Sequence, residues 1–262
     1  MAEAIHASPG PLAAIRKVEL DRPWLWLAKG WEDLRRDPAV GVLYGVLAAV
    51  TGYLVTLGLW SIEALHLVLP LTAGFLIVGP ILAVGLYEVS RRREAGLPTT
   101  LLDALAAFKR NATQIALMGV ALLLLMFLLV RVAALLFMLY FGYDPPSVEQ
   151  LFARTFLDAE ALPFLIVGIG AGGLLAFTAF AISVVSIPML LDRPDTNVID
   201  AVTRSFEAVQ LNFATMLFWA VLIVAFTLFG LVTLYLGLVL TLPLLAHASW
   251  HAYRDLVEFS DR

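Results

Sequence analysis

Long uninterrupted apolar runs constrain this chain more than any other feature. Five stretches, 39–60, 67–89, 115–141, 162–191 and 213–250, hold almost no charge. A bilayer core is crossed by about 20 apolar residues in helical form. The first four runs each fit one crossing. The fifth is too long for one and is expected to fold back near 230–233, which makes six helices. Composition agrees with lipid as the solvent: 61% of residues are hydrophobic and 15% charged, with a mean hydropathy of +0.90. Soluble domains carry about 25% charged residues.

The cations fall on one set of loops. Fifteen of the seventeen Lys and Arg residues lie before residue 39, in 90–112, in 192–212 or in the tail, and one, Arg154, lies in the opposite set. Positively charged loops stay in the cytoplasm. Both termini are therefore expected to be cytoplasmic and the chain to sit in a bacterial inner membrane. The N-terminal stretch has no apolar core of secretion-signal length. A net charge of −4 speaks against nucleic acid, which demands a dense basic face. With no cysteine, thiolate chemistry and disulfides are excluded.

Short charged segments precede the spans. Around GWEDLRRDP, residues 30–38, a helical reading of 24–35 places Trp24, Leu27, Trp31 and Leu34 on one stripe with Glu32, Asp33, Arg35 and Arg36 elsewhere. The expectation is an amphipathic helix lying on the membrane with Trp24 and Trp31 at headgroup level, the charges solvated and the chain diving at Pro38. A catalytic Glu32/Asp33 pair is disfavoured, because adjacent helical residues diverge. Two later segments repeat the pattern. Thr99 or Thr100 can cap a helix, with Asp103 three residues after Thr100, that bears Leu101, Leu105 and Phe108; Asn197 with Asp200 opens one bearing Val198, Val202, Phe206 and Val209. Each leads into a hairpin whose second span carries a proline: Pro80, Pro188 or Pro243.

The expected fold is thus all-α and polytopic, with six transmembrane helices as three hairpin units, each preceded by a short amphipathic interfacial helix. The segments are a leader (1–23), units at 24–92, 93–191 (with a longer outer loop, about 142–161) and 192–254, and a tail (255–262). Expected interfacial anchors are Trp24, Trp31, Phe108, Phe206 and Trp250.

Candidate chemistry is sparse. His247 and His251 share a helix face but lack an acidic third ligand nearby, so they read as interfacial histidines rather than metal ligands. His66 belongs at the opposite face, which speaks against a bis-histidine haem. Arg131, inside the third span, is expected to snorkel outward or to meet Asp144, Glu149, Asp158 or Glu160, with a lipid-headgroup contact as the alternative. Glu88 is read as an ordinary helix-end charge beside Arg91 and Arg92. GIGAGG, 168–173, matches a dinucleotide fingerprint in letters but falls inside a span; Gly168 and Gly172 are read as a helix-packing face. No cofactor or catalytic residue is expected.

PWLWLAKGWEDLRRDPAVGVLYG, 23–45, resembles a bacterial integral-membrane family known as domain of unknown function 2189, in its tryptophan-rich lead-in, GW-D element, proline and Tyr-Gly. The resemblance implies an inner-membrane protein of about six helices with no established activity, and no catalytic residue carries over. An accessory place beside a cytochrome oxidase is compatible with it. The haem–copper subunit itself is excluded, since four scattered histidines fall short. The functional expectation is a non-catalytic scaffold, an accessory or assembly subunit or a lipid-organising protein; the alternative is a transporter or lipid-handling permease using Pro-kinked spans. Expected partners are membrane lipid, another membrane-protein complex or a second copy of the chain.

Overall fold

The computed structural model describes residues 14–258 apart from 144, 145 and 147, and among these the regular structure is all helical, joined by short turns, with one isolated bridge, Ile15–Val257. Helix α1 runs Arg22–Arg36 and α2 Pro38–Ser61, with Pro38 at the first helical position, where its missing N–H costs nothing. α3 (Val68–Leu82) and α4 (Val84–Glu94) form the return limb. α5 (Leu101–Ala106) leads into α6 (Ala112–Phe141). α7 (Val148–Phe156) lies in the longer loop, and α8 (Leu162–Ser183) with α9 (Ser186–Asp192) returns. α10 (Val198–Leu211), α11 (Phe213–Val232) and α12 (Leu238–Leu256) complete the chain.

Among the described residues five segments are long and apolar enough to cross a membrane: Pro38–Ser61, Leu65–Glu94, Ala112–Phe141, Ala159–Asp192 and Phe213–Val232. α12 is not among them, because its second half carries His247, His251, Arg254 and Asp255. The fold-back lies a few residues beyond the expected 230–233: α11 ends at Val232 and α12 starts at Leu238, with Leu234 and Tyr235 at positive φ in the turn.

Two levels follow. Along α2, α6, α8 and α11 large side chains such as Leu54, Leu124, Leu135, Ile169 and Leu228 are exposed, a surface that water would not tolerate and lipid does. At the end where α1, α5 and α10 lie, the interior beneath their outer faces is closely filled. All residues from Val84 to Ser90 and from Ser186 to Leu191 are buried, as is most of 245–257. The densest core is therefore at the charged end of the bundle.

Prolines explain the sharpest local features. Pro80 and Pro188 lack the N–H that would bond Leu76 and Val184, and each return limb is interrupted nearby, at Ala83 and at Val184–Val185. Ser205 of α10 repairs the second interruption: its Oγ accepts the Val185 N–H at 3.1 Å and donates to the Ala181 carbonyl at 2.8 Å. Pro243 leaves α12 continuous and packs beside Gly41.

Glycine packing differs from the expected pattern. A Cβ on Gly168 or Gly172 would meet nothing within 4 Å, so these residues bring no helix of this chain close. Close crossings occur instead at Gly30, whose missing Cβ would lie 2.7 Å from the Ala248 nitrogen, and at Gly45 against the Val239 backbone. Both crossings involve α12. Gly30→Leu is therefore expected to lower the melting temperature in detergent, overpacking costing about 1–3 kcal/mol, whereas Gly168→Leu leaves it unchanged; differential scanning fluorimetry compares the two.

Candidate functional site

α1 buries a stripe other than the expected one. Pro23, Trp26, Leu27, Gly30, Asp33 and Leu34 face inward, while Trp24 and Trp31 are exposed at 55% and 44%. The spacing i, i+3, i+4, i+7 holds, rotated toward α12. Its consequence is chemical: Asp33, expected on the solvated face, is 7% exposed. Its neighbour Glu32 points outward and pairs with Arg36.

Asp33 is the centre of a network from three helices. Ser90 of α4 donates its hydroxyl to Asp33 Oδ2 at 2.7 Å. Having one proton, Ser90 then accepts from His247 Nδ1 of α12 at 2.8 Å, which assigns the proton-bearing nitrogen. His251 Nε2, one turn on, lies 2.9 Å from the same carboxylate oxygen and donates to it. Arg93 reaches the Asp33 carbonyl, with its guanidinium 3.5 Å from Oδ1. Burial pushes the Asp33 carboxyl up; the hydrogen bonds from His251 and Ser90 outweigh it and hold the group below its usual 3.8.

A second fastening lies one level away. Arg22 forks onto Asp255 at 2.7 and 2.8 Å, and the Trp26 indole donates to the same carboxylate at 2.9 Å. Tyr253 donates to Asp192 at 2.9 Å, and Arg254 approaches Glu94 at 3.1 Å and Asp192 at 3.6 Å. Glu88, expected as an ordinary end charge, is 4% exposed and grips Arg91 at 2.7 Å, with Arg110 at 3.9 Å. Arg92 turns instead to Asp103 and the Pro98 carbonyl.

The order of groups decides what this network does. In a nucleophilic triad the imidazole stands between serine and carboxylate and withdraws the serine proton. Here the serine stands between carboxylate and imidazole, donates to the carboxylate and is fully buried. No attacking oxygen is generated, so the arrangement ties helices together. Among the described residues no group of three or more His, Asp or Glu is placed to hold a metal.

His247, expected at the interface, is 1% exposed, and Trp250, expected as an anchor, is fully buried with its ring 5.4 Å from that of Tyr253. Phe108 and Phe206 are exposed at 38% and 48%. Both expected caps form: Thr100 and Asp103 make a reciprocal capping box, and Asn197 accepts from the Asp200 N–H. Arg131 is exposed late in α6, at the twentieth of its thirty residues. Asp144 lies outside the described residues, as do the side chain of Glu149 and the first thirteen positions. His66 stacks on Phe137, ring centroids 5.2 Å apart. Sequence reading missed Ser90, Trp26 and Asp255; the stripe through Trp26, Gly30 and Asp33 was the available signal.

Asp33→Ala strips partners from Ser90, His251 and Arg93 and is expected to cost about 2–3 kcal/mol, well above the cost of Glu32→Ala; thermal melts in detergent compare them. A carboxyl held below its usual value stabilises the fold above that value and loses the effect as pH falls through its lowered one. Wild-type melting temperature should therefore drop below about pH 3.8, and Asp33→Asn, already destabilised at pH 7, should show a shallower drop.

No curated protein and no solved structure matches the chain. The family match covers α3 through α9; it leaves out 23–45, the stretch that carried the resemblance, and also α11 and α12. Residues 68–192 match the family described as Predicted integral membrane protein (DUF2189), the family to which the sequence resemblance pointed.

Proposed function

We propose that this chain is a non-catalytic lipid-organising protein of a bacterial inner membrane, crossing it six times with both termini cytoplasmic. The observation that carries the reading is the outer surface of the short helices. α1 exposes Trp24 and Trp31, α5 exposes Leu102 and Leu105, and α10 exposes Ile199 and Phe206, all at the end where the cations gather. Each helix buries its other face in the core. Exposed apolar side chains on helices at this level suit the boundary between headgroups and acyl chains. The sixth crossing in this reading is α12, which returns beside α11 from the turn at 233–237.

The internal surfaces favour lipid over polar solutes. Two cavities of about 460 Å³ each lie between the helices, and both are walled almost wholly by apolar side chains. In the second, the Thr56 and Tyr235 hydroxyls satisfy one another at 2.6 Å. The alternative of a lipid-handling permease rests on Pro80, which lies on the wall of the first cavity.

Because the native chain has no cysteine, single cysteines report cleanly. Ala95→Cys in intact cells should resist an impermeant maleimide until permeabilisation, and Tyr143→Cys should react at once; the reverse pattern would invert the topology. In vesicles, a nitroxide at Leu102→Cys or Ile199→Cys should meet oxygen more readily than an aqueous nickel chelate, unlike one at Asp195→Cys. Equal behaviour at the three sites would remove the interfacial role of α5 and α10.

A further inference from the structure

The cavity between α3, α8, α11 and α12 has polarity at one end only. Its walls run from Phe75 to Tyr87 along the first return limb, a distance of about 18 Å at helical rise. Among the described residues no Asp, Glu, Lys, Arg or His lies on the walls. Three hydroxyls, Tyr87, Ser183 and Ser249, lie at the charged end, and the middle and far end are apolar but for Thr227.

Three hydroxyls on α8, α9 and α12 bond back to their own backbone. Thr178 donates to Leu174, Ser186 to Ile182 and Ser249 to Leu245, at 2.8, 2.5 and 2.8 Å. Tyr87 finds Ser249. Among the described residues two buried hydroxyls on these helices lack a partner, Thr241 of α12, which is not on the wall, and Ser183 of α8, which is 1% exposed and is on it. A buried hydroxyl without a partner forfeits a hydrogen bond, and this one lies on a cavity wall at the mouth of the α8–α9 interruption. The vacant group is an O–H donor, so its complement is an acceptor. With no charge on the walls, a phosphate or carboxylate in the cavity would go uncompensated.

We infer that this cavity binds an uncharged acyl-ester lipid, a diacylglycerol, with an ester carbonyl accepting from Ser183 and an acyl chain extending along α3 and α8 toward the opposite leaflet. The inference deepens the lipid-organising reading and rests on it. Ser183 orients the ester, Tyr87 and Ser249 form the polar end, and burial of the chain's methylenes supplies the affinity.

Native mass spectrometry of the full chain in maltoside micelles, titrated with dioleoylglycerol, tests it. A saturable one-to-one adduct is expected, weakened about five- to tenfold by Ser183→Ala. The double variant Gly173→Leu/Ala176→Leu fills the wall with the melting temperature kept, since a Cβ at Gly173 meets nothing within 4 Å, and it should abolish the adduct. Equal or tighter binding of dioleoylphosphatidylglycerol, oleic acid or an isoprenoid quinone would overturn the assignment, as would uptake that never saturates or that ignores both variants. Micelles have no sidedness. Failure here with the expected cysteine labelling removes the lipid site alone, and inverted labelling with binding intact removes only the topology.

Discussion

A buried carboxylate holds the ends of this chain together. Asp33 comes from the first helix, its partner Ser90 from the first return limb, and His247 and His251 from the last helix. A charge at that depth is costly unless hydrogen-bonded on several sides. Only when α1, α4 and α12 meet is it satisfied. The Gly30–Ala248 contact lets the backbones approach closely enough for this, and Arg22 with Trp26 on Asp255 extends the same seam. Position in the membrane then follows: apolar limbs extend from one side of a polar, densely packed layer.

The interruptions of the return limbs belong to that layer. Straight helices would carry their apolar surface past the charged end; the interruptions at Ala83 and Val184–Val185 allow α4 and α9 to turn into it and become buried. Ser205 meets the exposed backbone groups at one of them. The cavity with Ser183 at its polar end opens beside the same interruption, so the fold's main irregularity and the unpaired hydroxyl on the cavity wall coincide.

Five of the six expected spans were legible because hydropathy is a one-dimensional property: about twenty apolar residues are long enough for a crossing whatever packs beside them. Caps at Thr100 and Asn197 were legible for a similar reason, since each acts within four residues. Partner choice was not. The tryptophans of α1 suggested a stripe through Trp24 and Trp31, but Gly30 and Trp26 set the inward face, because the docking surface on α12 has room only for a glycine. Histidines beside Trp250 looked interfacial, yet the charged end is a folded core rather than a membrane surface. Gly168 and Gly172 show the converse: small-residue spacing allows close packing but supplies no neighbour.

Hydrogen exchange measured in lipid nanodiscs tests the closure of the first helix on the last most directly. If Asp33 and the Gly30 contact clamp them, amides of 23–36 and 246–256 will be protected to the same degree and will open together. Rapid exchange throughout 23–36 while 246–256 stays protected would show a first helix lying free on the membrane, and would contradict the account.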